Sequence, residues 1–137
     1  MKKIIVPGLL AGTAMLVAWM VLNWVLGFIF PTLASQYQNP DLFRPWSDPL
    51  MSLIFVEPFV LGLVLAWLWG RVKESIKGKD DWSRAVNFGV FYWVIGIPGM
   101  FISYSTFPVS LTMIISWSLS GFVQAVVAGW VFAKRLK

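Results

Sequence analysis

The chain is written in long apolar runs, with its polar residues gathered between them. No Asp, Glu, Lys or Arg stands between Lys3 and Asp41, and none between Arg84 and Lys134. The runs are continuous and do not alternate, so they predict helices and not the strands of a membrane barrel. A hydrocarbon core about 30 Å thick is crossed by about 20 apolar helical residues. The first run supplies one span, residues 4–30, closed by Pro31. The 49 residues 85–133 supply two more, turning at the polar cluster from Ser103 to Pro108. A further span, residues 49–71, carries a single charge, Glu57. The pattern predicts an all-α polytopic membrane protein, a bundle of four transmembrane helices over about 4–30, 49–71, 84–104 and 108–133, in one domain.

Local chemistry marks the span ends. Ser47-Asp48-Pro49 is a helix start, a capping side chain followed by proline at the first helical position. Asp80-Asp81-Trp82-Ser83 caps the third span in the same way. Val72 and Ile76 share a face, so the second helix is expected to run on past the membrane surface as an amphipathic turn ending at Gly78. Trp46, Trp67, Trp69, Trp82 and Trp130 fall near span ends, where indole rings favour the headgroup level.

Charge orients the spans. Four crossings put both termini on one side, and that side carries ten of the 11 basic residues; the other side has only Arg44. This asymmetry predicts cytoplasmic termini and a place in the plasma (inner) membrane of a prokaryote. The net charge of +5 is then a by-product of flanking residues. No basic face is formed, and nucleic acid is not an expected partner. The first apolar run, 27 residues long, far exceeds the roughly 7–15 of a signal peptide, so it reads as a retained span.

Composition narrows the chemistry. The residues are 58% hydrophobic and 12% charged, the reverse of a disordered chain and unlike an ordinary soluble domain. There is no Cys and no His. Disulfides, thiolate or imidazole metal sites and His general-base catalysis are excluded, and no cofactor is predicted. No phosphate-binding or dinucleotide motif occurs. One intramembrane carboxylate is too few for an aspartyl protease, and every lysine lies at a span end, so enzyme activity is not expected.

Two features bear on assembly. A shift of 63 residues lays Phe59, Val64, Trp67 and Arg71 on Phe122, Val127, Trp130 and Lys134, which reads as a parallel duplication of a helical hairpin. Small residues recur every four positions at Gly62, Ala66 and Gly70, and again at Gly121, Ala125, Gly129 and Ala133; Gly8 and Gly12 add a shorter row. Such rows let helix backbones approach closely. They serve either packing within one bundle or a seam to a second copy or another membrane protein.

The candidate site follows from Glu57. It lies seven residues from the outer end of its span, about 10 Å deep at 1.5 Å per residue. An intramembrane charge is costly and marks a functional hypothesis. Pro58 follows it and frees the carbonyl of Ile54, which predicts a kink; Pro98-Gly99 does the same to the third span. Asn23 lies at similar depth on the first span, and Ser116 and Ser120 form an i, i+4 pair on the fourth. The expectation is an outward-facing polar pocket for a small molecule, lipid or ion, with Glu57 as its charge, Asn23, Ser116 and Ser120 as walls, and a lid of Tyr37, Phe43, Arg44 and Trp46. The competing structural role bonds Glu57 to Asn23 or a serine, or pairs it with Arg44. Gln124, near mid-depth, reads as interhelical glue. The alternative function is an accessory or assembly subunit that docks another membrane protein through its small-residue faces.

Overall fold

The computed structural model describes residues 2–136, with side chains from Ile4 onward. It is all-helical: α1 (Lys2–Ile29), α2 (Pro31–Tyr37), a 3-10 helix (Pro49–Phe55), α3 (Glu57–Val72), α4 (Asp81–Thr106) and α5 (Leu111–Arg135). Four segments are long and apolar enough to cross a membrane: Ile4–Ile29, Pro49–Val72, Asp81–Thr106 and Leu111–Arg135.

The helix starts follow their caps. Asp80 accepts the Ser83 N–H at 2.7 Å and its own N–H reaches the Ser83 hydroxyl, closing a capping box on α4. Ser110 caps α5 by accepting the Met113 N–H. Several local expectations are corrected. The span 49–71 is not one kinked α-helix but a 3-10 helix followed by an α-helix, divided at Val56. Pro58 stands at the second position of α3, where its missing N–H breaks no ladder bond. Pro31 does not merely end α1; it opens α2, a short helix that was not expected. The polar cluster at Ser103 to Thr106 stays helical, with the Ser103 and Ser105 hydroxyls satisfied by the carbonyls of Gly99 and Ile102, and α4 ends just before Pro108, which disfavours helical backbone at the residue preceding it. The turn therefore falls at 107–110.

α3 also ends sooner than the Val72–Ile76 face suggested. Beyond Val72 the carbonyls of Lys73 and Lys77 are taken by Arg84 at 2.8 Å and Asn87 at 2.6 Å, side chains of α4. Those bonds turn the chain back. They also gather the ends of α3, α4 and α5, with Lys73, Arg84 and Arg135, at what we call the basic end.

Packing is dominated by small residues. A Cβ on Gly12 would lie 2.8 Å from the Phe59 Cα, and one on Gly8 would lie 3.0 Å from the Leu63 Cα. At Gly62 a Cβ would strike the Gly8 carbonyl. α1 and α3 thus touch backbone to backbone. α4 and α5 do the same where Gly129 meets Ala85 and Gly89 meets Val126. Gly62, Ala66, Ala125 and Gly129 are all buried within the bundle, whereas nothing lies within 4 Å of a Cβ on Gly70, and Gly121 stands beside Tyr92. α5 packs against α4, α1 and α3, so it is the central helix, while α3 and α4 do not pack along their length.

The main core lies toward the basic end. Trp69, Phe88 and Phe132 meet there, with Trp69 and Phe88 ring centroids 5.2 Å apart, and all three are fully buried. Arg84 lies over the Trp69 ring at 5.3 Å. A second cluster, Leu33, Val109, Met113 and Ile114, sits at the opposite, loop end and docks α2 onto α5.

Candidate functional site

The loop end carries the polar chemistry. A cavity of about 170 Å³ lies between α1, α2 and α5, lined by Asn23, Leu26, Gly27, Leu33, Ala34, Tyr37 and Ser116. Its residues come from three helices for identifiable reasons. Asn23 projects from α1, where its amide donates to the Trp19 carbonyl at 2.9 Å and leaves the side-chain oxygen uncommitted. Ser116, 7% exposed, donates to the Met113 carbonyl at 2.7 Å and keeps its lone pairs. Tyr37 ends α2, which Leu33, 3% exposed, pins to the bundle.

The roof is held by aromatic contacts. The Trp117 indole N–H donates to the Tyr37 hydroxyl at 2.7 Å. Phe43 packs on both rings, with centroids 5.4 Å from Tyr37 and 6.4 Å from Trp117. Because the Tyr37 oxygen is accepting, its own proton points elsewhere and is free to donate. The cavity therefore offers one hydroxyl donor and two oxygen acceptors, and no charged residue lines it.

Of the residues singled out in the sequence, this arrangement brings together Asn23 and Ser116. Ser120 lies one turn deeper on the same face of α5 and does not line the cavity. Gln124 lies a further turn in, 8% exposed, and no described residue hydrogen-bonds its amide. Ser116, Ser120 and Gln124 thus form a polar row running inward from the cavity. Arg44 is elsewhere. It pairs with Asp48 at 2.8 Å in the connection between α2 and the 3-10 helix, an exposed i, i+4 bridge. The Leu50 N–H, and then Arg44, hold the Asp48 carboxyl below its ordinary range. Of the expected lid, Tyr37 and Phe43 cover the cavity, while Trp46 stacks near Phe55 instead, 6.5 Å between centroids.

Glu57 is the first residue of α3, exposed, with no hydrogen bond or ion pair among the described residues. It is bonded neither to Asn23 nor to a serine, and Arg44 is committed to Asp48. It does not line the loop-end cavity. Sequence reasoning took Tyr37 only as part of a lid, because a tyrosine in a loop has no periodic signature. Trp117 went unremarked, because an indole in an apolar run reads as core. No group of three or more acidic, His or Cys side chains suited to a metal ion occurs among the described residues. Comparison with protein families, curated proteins and solved structures finds no match.

Proposed function

We propose that this chain is a non-catalytic, membrane-embedded binding protein for a neutral amphiphile, whose hydroxyl or amide head enters the loop-end cavity. The observation that carries this reading is the convergence of Asn23, Ser116 and Tyr37 on one uncharged space of about 170 Å³. Liquid water takes about 30 Å³ per molecule. The space thus suits a polar head of a few atoms, well below the 300–1,000 Å³ that takes a whole drug-sized ligand. The apolar remainder of such a ligand would lie along α1, where Trp24 and Phe28 are 75% and 82% exposed. The fully buried Trp69, Phe88 and Phe132 fill the bundle toward the basic end, which favours binding over a continuous polar path.

Thermal unfolding in maltoside detergent tests the reading, with monooleoylglycerol and methyl oleate as probes. The glycerol ester carries hydroxyls and the methyl ester does not. Monooleoylglycerol is expected to raise Tm, methyl oleate to do so much less, and Gly27→Leu to remove the difference. Nothing lies within 4 Å of a Cβ on Gly27, so that leucine fills the cavity mouth without straining the core. Equal shifts for the two probes, or a difference that survives Gly27→Leu, overturn it.

The proposed setting is the plasma membrane of a prokaryote, with the basic end in the cytoplasm, on the strength of the charge asymmetry. The proposed duplication gains support from two matching pairs 63 residues apart. Arg71 lies over Trp67 at 4.6 Å, and Lys134 lies over Trp130 at 3.9 Å.

A further inference from the structure

A groove of about 420 Å³ lies between α4 and α5, lined by Val90, Trp93, Ile115, Ser118, Leu119 and Phe122. It shares no residue with the loop-end cavity. All six fall in the charge-free stretch between Arg84 and Lys134, and Trp93 stands near the middle of α4. Val90, Trp93, Ile115 and Leu119 are exposed. In a helix that crosses a bilayer that exposure is to hydrocarbon, so an occupant enters from the lipid and not from water.

One polar pair marks the groove. The Trp93 indole N–H donates to the Ser118 hydroxyl at 2.7 Å, which commits the only polar atom of that ring. Ser118 accepts this bond and keeps its own proton, which no described residue accepts. Around α5, Ile115, Leu119 and Phe122 fall to one side of Ser118, while Trp117 and Gly121 of a smaller recess fall to the other. Ser118 and Trp93 line both spaces, so the hydroxyl borders open space on either side. Trp93 also meets Phe122 at 62°, with centroids 6.0 Å apart, so aromatic rings from both helices line the groove.

We propose that the groove binds a neutral, lipid-soluble molecule whose flat ring bears a carbonyl, a ketone or quinone, with the carbonyl accepting the Ser118 proton and the ring lying against Trp93 and Phe122. The volume falls in the range of about 300–1,000 Å³ that takes a whole small ligand. A charged ligand finds no counter-ion, because no lining residue is charged. A phospholipid tail fills the space but keeps its ester carbonyls at the headgroup level. It leaves the Ser118 proton unmet near mid-span, where an unpaired polar group is most costly. A carbonyl set in the apolar body of the ligand meets it. The indole and the phenyl favour a flat ring, which packs on them offset or edge-on.

The test compares fluorenone with fluorene, the same flat ring system with a methylene in place of the carbonyl. Binding is followed by isothermal titration in detergent, and each affinity is divided by that compound's partition into empty micelles. Wild type is expected to prefer fluorenone by about fivefold or more, the size of one hydrogen bond. Ser118→Ala alone frees the Trp93 N–H as a substitute donor, so the decisive variant joins it to Trp93→Phe. That double variant is expected to bind the two compounds equally. Val90→Trp fills the groove from an exposed position and leaves the polar pair in place, so it is expected to weaken binding of both compounds. Absence of a preference in wild type, or a preference that survives the double variant, overturns the proposal. If the double variant does not fold, Val90→Trp decides: unchanged fluorenone binding in that variant overturns it equally. Gly27 does not line the groove, so the fluorenone preference is expected to persist in Gly27→Leu, and failure here leaves the loop-end reading standing.

Discussion

Trp117 and Tyr37, 80 residues apart in the chain, are joined by one hydrogen bond of 2.7 Å from the indole N–H to the phenol oxygen. Trp117 lines a recess of about 100 Å³ between α4 and α5, together with Tyr92, Gly96 and Ser118, and Tyr37 lines the cavity that holds Asn23 and Ser116. The bond therefore stands between these two spaces, and it ties α2 to the central helix.

Removing either partner leaves the other without its mate in a half-buried place. Tyr37→Phe and Trp117→Phe are each expected to destabilise by about 1 kcal/mol, with a larger loss for Trp117 from its smaller ring. The double mutant is expected to lose less than the sum, by a coupling on the order of 0.5–1 kcal/mol. Unfolding in mixed micelles of the four proteins measures it. Additive losses would show that the bond contributes nothing of its own.

Glycines of one small-residue row are expected to respond with opposite signs. At Gly62 a Cβ meets the Gly8 carbonyl and the Gly12 backbone, neither of which can swing aside. Gly62→Ala must push α1 from α3 and is expected to destabilise by about 1–3 kcal/mol. At Gly70 nothing lies within 4 Å. Gly70→Ala is expected to be neutral, or to stabilise by up to about 1 kcal/mol, through helix propensity alone. The same unfolding assay reads both, and a loss at Gly70 equal to that at Gly62 contradicts the packing described.

The start of α4 is expected to be acid-sensitive. The Ser83 backbone N–H and then its hydroxyl hold the Asp80 carboxyl below its ordinary value. A lowered folded value means that the cap's contribution is complete above the unfolded value of about 3.9, and is lost as pH falls through the folded one. Asp80→Asn keeps a capping oxygen but does not titrate. Hydrogen exchange at the first turn of α4 is expected to quicken in wild type below about pH 4, while the Asn variant stays flat over the same range. Parallel profiles would assign the acid response to another group.

Much of the architecture is legible in the residues themselves. Four helices long enough to cross a membrane follow from charge-free runs, because backbone polar groups in hydrocarbon must be satisfied within the segment. The starts at Asp80 and Pro49 follow from local capping bonds that need no tertiary partner. The division of the second span at Val56 was less legible. A proline marks where an α ladder is weak, but not which helix type lies on its N-terminal side. α2 was missed because seven residues carry too few turns for a periodic signal, and tertiary docking of Leu33 sustains it.

The candidate site divided along the same line. The sequence by itself determined which polar residues lie inside apolar runs, and so singled out Glu57, Asn23, Ser116 and Ser120. It also determined the small-residue rows, because spacing by four sets one helix face. Only the tertiary structure decided which faces meet. Gly8, Gly12 and Gly62 close α1 onto α3, while Asn23 and Ser116 come together under Tyr37. Glu57 instead opens α3 as an exposed residue outside that cavity. The physical reason is that depth along a helix follows from residue number, at 1.5 Å per residue, whereas the azimuth at which two helices dock depends on backbone contacts between residues far apart in the chain.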